Sequence, residues 1–172
     1  MLRNPLERKA RKRYLQLSMT KTLTIENHKI DFRLIEDIDY WCWQGYLTIN
    51  GAEVEIEIDS GFYSGVLNWE NVEKFIGYII INEVIKKHSK IGTKELTIIG
   101  RDFFQNTPSI KDWKMNFKNS IYFLGANENN FTYGFLYDFI VIRDGGIDGD
   151  PYGLYMVRME NEKMLNAERH QL

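Results

Sequence analysis

An α+β fold is predicted: a single domain with a curved, mainly antiparallel β-sheet and one main helix, about 69–88, packed on it. Three features of the sequence carry this expectation. Residues 42–59 alternate apolar and polar side chains symmetrically about Asn50-Gly51, a two-residue pair suited to the positive φ angles of a tight hairpin turn. Residues 69–88 place apolar side chains at helical spacing. The remainder is cut into short alternating runs by Gly, Asn, Asp and Ser, the pattern of strands joined by turns.

The chain of 172 residues is long enough for one hydrophobic core without covalent staples. Its 44% hydrophobic and 14% aromatic content and three prolines place it among folded chains, not disordered ones. The single cysteine, Cys42, cannot form an internal disulfide, so a reducing cytoplasm is the expected location. No apolar run reaches the roughly 20 residues a membrane helix needs, and no membrane insertion is expected. Abundant Ile, Asn, Lys, Tyr and Phe suit an AT-rich genome, bacterial or viral.

The net charge of -2 conceals an asymmetry. Residues 1–21 hold seven basic residues and one acid, Glu7, for a net of +6; the rest holds 15 basic and 23 acidic residues, for a net of -8. The division predicted is a basic helical or flexible arm over 1–20 and one α+β domain over 21–172. In the arm, Asn4 suits a helix cap, Pro5 the first turn and Glu7 the positive end of the helix dipole. Leu6, Ala10, Tyr14 and Leu17 fall on one helical face, surrounded by Arg8, Lys9, Arg11, Lys12 and Arg13. Three readings stay open: docking on the acidic body, contact with nucleic acid or anionic lipid, or a translated extension ahead of a start at Met19.

The domain opens with a hairpin whose turn is expected at Asn27 and His28, pairing Ile25 with Ile30 and Leu23 with Phe32. The next hairpin turns at Asn50-Gly51. Counting outward pairs Leu47 with Val54, Gly45 with Ile56 and Trp43 with Ile58 on an apolar face. The other face pairs Thr48 with Glu53, Tyr46 with Glu55, Gln44 with Glu57 and Cys42 with Asp59. Asn68 is the expected cap of the main helix, whose buried stripe is Val72, Phe75, Ile76, Ile79, Ile80 and Val84. Strands are then expected at "KELTIIG", "DWKMNFK" and "SIYFLG", with Trp113, Met115 and Phe117 on one face. "ANENN" reads as a loop, "FTYGFLYDFIVI" as a central strand, and 154–171 as a final hairpin of undetermined register.

Candidate chemistry is sparse. "RDGGIDGD" lacks the third- and twelfth-position ligands of an EF-hand, and its flanks read as strands, so an irregular hairpin loop is expected. Asp144, Asp148 and Asp150 remain weak candidates for a looser metal site. Asp138 interrupts an apolar strand; if buried its carboxyl would suit acid–base work, while a sheet edge or a tyrosine partner is the plainer reading. Ser60 and Ser64 lack a nucleophile elbow. His28, His88 and His170 lack metal-ligand spacing. No nucleotide-binding or zinc motif occurs, and no cofactor is expected.

The remaining feature is a row of four carboxylates, Glu53, Glu55, Glu57 and Asp59, beside Gln44 and Tyr46. Neighbours on one strand face lie roughly 7 Å apart and repel by roughly 0.6 kcal/mol in water, which a solvated face tolerates. A plain outer face accounts for this. The functional reading is a cytoplasmic, non-enzymatic binding protein, an immunity- or antitoxin-type inhibitor that holds a basic toxin or nuclease through these six residues. Alternatives are a carboxylate–metal hydrolase or nuclease near Asp138, Asp144, Asp148 and Asp150, and an accessory subunit that self-assembles through exposed edge strands. Nucleic acid is expected to bind only through the arm, if at all.

Overall fold

Turn chemistry builds the first four strands, β1 Thr20–Ile25, β2 His28–Glu36, β3 Trp41–Ile49 and β4 Ala52–Asp59, as an antiparallel meander. The computed structural model describes residues 19–36, 41–60, 67–104, 110–128, 130–143, 146–150 and 153–171. The helical arm, the alternative start ahead of Met19 and Ser64 therefore concern stretches outside the described residues.

At the second hairpin Asn50 and Gly51 adopt φ of 51° and 78°, and every expected pair from Ile49↔Ala52 to Cys42↔Asp59 is present. The first hairpin departs from expectation. Its turn sits at Glu26 and Asn27, both at positive φ, so Leu23 pairs with Ile30 and Ile25 with His28. Asn27 takes the second, left-handed turn position instead of the first. The slip is two residues, so side chains keep their faces, and Leu23, Ile25, Ile30 and Phe32 are all buried.

The helix expected over 69–88 is two, and a third follows it. α1 spans Trp69–Ile81, with Asn68 Oδ1 accepting from the Asn71 amide at 3.3 Å. Glu83 at φ 51° breaks the run, and α2 resumes over Val84–His88. Of the expected stripe, Val72, Phe75, Ile76, Ile79 and Val84 are nonetheless buried and Ile80 is half-buried. α3, Thr93–Phe104, contains "KELTIIG", which was expected as a strand. Leu96 and Gly100 are one turn apart and buried, Ile99 and Phe104 pack beside them, and Ile98 points outward. That is helical periodicity, and it overrides the strand preference of the Thr-Ile-Ile run.

These helices supply the crossover that lets the next strand, β5 Ile110–Asn127, run parallel to β4. The two strands expected within β5 are one. Asn119, at φ 54°, lies where the register shifts between Phe117 and Ile121, so it makes an irregularity in a continuous strand, not a turn. "ANENN" is likewise mostly strand: Asn127 pairs with Asn130 at the start of β6, Asn130–Arg143. β6 is central, as expected. One of its edges faces β5; the other pairs first with β8, Gly153–Glu160, and farther along with the short β7, Gly146–Gly149. β9, Lys163–Gln171, completes the final hairpin. The sheet order is β1-β2-β3-β4-β5-β6-β8-β9, with β7 on β6 and the β4–β5 pair the parallel one.

α1 and α3 share out one face of this mixed sheet. Phe75 of α1 stacks on Phe123 at 4.5 Å, and Trp69 meets Trp43 at 4.9 Å. Phe104 of α3 stacks on Phe139 at 5.8 Å, which itself stacks on Tyr155. Trp113, Met115 and Phe117 pack against the same core. The opposite face carries most polar side chains of β1 to β4, with Leu136 and Met156 buried on it at β6 and β8, and is not covered by a described helix. No described helix is long and apolar enough to cross a membrane.

Candidate functional site

The open face of the β3–β4 hairpin holds all six residues named from the sequence. Glu53 and Asp59 are exposed, Glu55, Glu57 and Gln44 half-buried, and Tyr46 is 48% exposed. The row is not four equivalent carboxylates. Glu55 is gripped from β3: Gln44 Nε2 donates a hydrogen bond to Glu55 Oε1, and Tyr46 OH donates to the same oxygen at 3.2 Å. Glu57 is held from the other side, where Ser120 Oγ donates to Glu57 Oε1 at 3.1 Å. Glu53 and Asp59 cap the row at its two ends.

Burial, then the neighbouring Glu55, raises the Glu57 carboxyl above its ordinary value, while Ser120 and Lys118 pull it down. The Tyr46 phenol is also raised, by burial and then by Glu55. A hydroxyl that stays protonated and a carboxylate short of compensating charge make a surface complementary to a cation. Arg33 and Tyr122 continue the cross-sheet row: Arg33 pairs with Gln44 in register, Gln44 with Glu57, and Glu57 with Tyr122.

Ser120, Lys118, Arg33 and Tyr122 were not singled out from the sequence. Ser120 is 1% exposed and lies 63 residues from Glu57, across a parallel pairing with no local signal. Arg33 was legible as a polar-face residue of β2, but its alignment with Gln44 needed the β2–β3 register.

The other candidates are separated. Asp138 is not buried: its side chain is 59% exposed and lies 3.7 Å from Lys118. It faces away from the core, on the same side of β6 as Leu136. Asp144 lies outside the described residues. Asp148 is placed by its backbone, opposite Val141 in the β6–β7 pair. The strands β6, β7 and β8 thus replace the helices an EF-hand needs. The Asp150 side chain is 2% exposed and engaged by protein groups: Arg169 Nε donates to Oδ2 at 2.7 Å and Tyr155 OH at 2.9 Å. The Arg169 guanidinium stacks 3.7 Å over Phe103 of α3. This buried knot ties the β7–β8 connection to β9 and α3. Among the described residues no three His, Cys, Asp or Glu side chains gather as metal ligands. Ser60 is buried and donates to the Trp41 carbonyl at 2.8 Å, a structural use of its hydroxyl.

Comparison of the chain with protein-family models, with curated proteins and with solved structures finds no match in any of the three.

Proposed function

We propose that this chain is a cytoplasmic, non-enzymatic binding protein that holds a basic protein partner against the open β3–β4 face, in the manner of an immunity- or antitoxin-type inhibitor. The observation that supports this reading best is the fixed arrangement of Glu55 and Glu57. One is clamped by Gln44 and Tyr46, the other by Ser120, so two anions are presented on a strand that need not order itself on binding. An approaching Lys or Arg gains from both, and the half-exposed Tyr46 ring offers an aromatic anchor beside them. Glu53 and Asp59 extend the field along the strand and raise the encounter rate of a cationic partner. A basic nuclease or toxin would thereby have the residues it uses on phosphate occupied.

Affinity capture from lysate of cells that make the protein, at low and high salt, tests this with three baits: the natural chain, Glu55→Lys/Glu57→Lys, and Tyr46→Ala. A basic protein held by the natural chain in low salt, released in high salt, absent from the charge-reversed bait and reduced with Tyr46→Ala is the expected result. Equal recovery by the natural and charge-reversed baits would sink the proposal.

A further inference from the structure

We infer that Asn50-Gly51, the tip of the β3–β4 hairpin, is a covalent modification site that reacts in the folded chain. The Asn50 side chain closes on the Gly51 amide to a succinimide, which water reopens as aspartate or isoaspartate. Among the described residues Asn27, Asn50, Asn119 and Asn161 all sit at positive φ, and three of the four are restrained. Asn161 Oδ1 accepts from the Phe131 amide at 2.9 Å, and its Nδ2 donates to Asn130 at 2.9 Å. Asn27 is followed by His28, which pairs with Ile25; Asn119 is followed by Ser120, which is 1% exposed and pairs with Glu55. In both, the nitrogen that would have to attack belongs to a paired residue with a side chain. Asn50 differs on each count. Asn50 and Gly51 are exposed, and the last rung of the ladder is Ile49↔Ala52, so the Gly51 amide lies outside it. No hydrogen bond or ion pair among the described residues holds the Asn50 side chain. A Cβ placed on Gly51 would have nothing within 4 Å, so the ring has room to close.

The reaction needs only base and water. The Gly51 nitrogen gives its proton to hydroxide and attacks Asn50 Cγ. The N–Cγ bond forms as the Cγ–Nδ2 bond breaks, and Nδ2 takes a proton from water and leaves as ammonia. Glycine favours this step because no side chain shields its nitrogen and its backbone turns freely. Water then opens the ring, and no atom is oxidised or reduced. Cleaving the bond from the Gly51 nitrogen to Cγ leaves aspartate at position 50; cleaving its bond to the main-chain carbonyl carbon of position 50 leaves isoaspartate. Either product adds a carboxylate at the tip of the hairpin that carries Glu53, Glu55, Glu57 and Asp59. The aspartate form keeps the turn, since Asp-Gly suits it as Asn-Gly does. The isoaspartate form routes the main chain through Cγ and lengthens a two-residue turn by one carbon. The Ile49↔Ala52 rung then no longer closes, at the turn that fixes the register of both strands.

Ageing of the full chain in mildly alkaline heavy-oxygen water, followed by acid-quenched digestion and peptide mass spectrometry, tests the site. Loss of ammonia with gain of one heavy oxygen should appear at Asn50 at least about tenfold faster than at Asn27, Asn119 or Asn161, as two separable isomers. Equal or faster reaction at any of those three overturns the inference. So does an unreacted Asn50 in the folded chain once the same chain unfolded in urea has reacted there. Gly100→Ala, with its loss of stability checked by chemical denaturation, separates reaction in the folded state from reaction after unfolding. It should raise the unfolded fraction about five- to thirtyfold while the Asn50 rate changes by less than about twofold. A rate that rises with the unfolded fraction overturns the inference. The isoaspartate product is then purified and compared with Asn50→Asp by amide hydrogen exchange. Ile49 and Ala52 should exchange at least about tenfold faster in the isoaspartate form; equal exchange overturns the inferred loss of the rung.

Discussion

Ser120 donates to Glu57 at 3.1 Å across the junction where β4 and β5 run parallel, joining residues 63 apart in the chain. This bond is the main brake on protonation of Glu57, since burial and Glu55 both push its carboxyl upward. Ser120→Ala is expected to move the Glu57 titration midpoint up, followed by carboxyl-carbon NMR. An unmoved midpoint would mean that the hydroxyl does not stabilise the anion.

The raised Glu57 carboxyl has a consequence for stability. Between the ordinary value of 4.5 and its raised value the folded chain holds a proton that the unfolded chain releases. Stability therefore falls as pH rises through that window. Glu57→Gln removes this penalty while keeping an acceptor for Ser120. The variant should melt about 1–2 °C higher at pH 7, with no difference from the natural chain below about pH 4. Thermal melts at the two pH values check it; a variant that melts lower at pH 7 contradicts the assignment.

Asp150 and Arg169 form a pair with side chains only 2% and 8% exposed. Removing the carboxylate strands a cation between Tyr155 and Phe103. Asp150→Ala should cost about 3 kcal/mol in urea unfolding, and adding Arg169→Met to the same chain should recover much of that loss. Millimolar calcium should leave the melting temperature of the natural chain unchanged, because Arg169 and Tyr155 already occupy this carboxylate.

Two glycines on the sheet-facing side of α3 and on β6 separate rigid from yielding neighbours. A Cβ on Gly100 would lie 2.4 Å from the Phe139 ring, which is wedged between Phe104 and Tyr155. A Cβ on Gly134 would meet the flexible thioether of Met156 on the open face. Gly100→Ala should destabilise by about 1–3 kcal/mol and Gly134→Ala by less, measured by chemical denaturation. The reverse order would mean that Met156 is the more confined side chain.

How far the sequence could be read depended on whether each signal was local. The β3–β4 register was legible because Asn50-Gly51 leaves one sterically easy turn, and alternation then propagates outward by counting. That register was enough to gather all six candidate partner residues on one face. The β1–β2 turn carries a weaker signal, with Glu26 forced to positive φ beside Asn27; the turn lies one residue earlier than expected, which shifts the pairing register by two. α3 was misread because the β-branched Thr-Ile-Ile run favours strand, while the helical spacing of Leu96, Gly100 and Phe104 needed a sheet to pack on before it prevailed.

By itself the sequence determined the alternating faces, the Asn50-Gly51 turn, the buried stripe of α1 and the row of carboxylates on β4, all of which arise from residues within a few positions of one another. Only the tertiary structure decided that β5 runs beside β4, that Ser120 reaches Glu57, that Thr20, Arg33, Gln44 and Glu57 share a row, and that Arg169 neutralises Asp150. Those relations join strands brought together by a shared core across long stretches of chain. The free energy that selects them comes from burying α1 and α3 against the whole sheet, and no short window of sequence contains it.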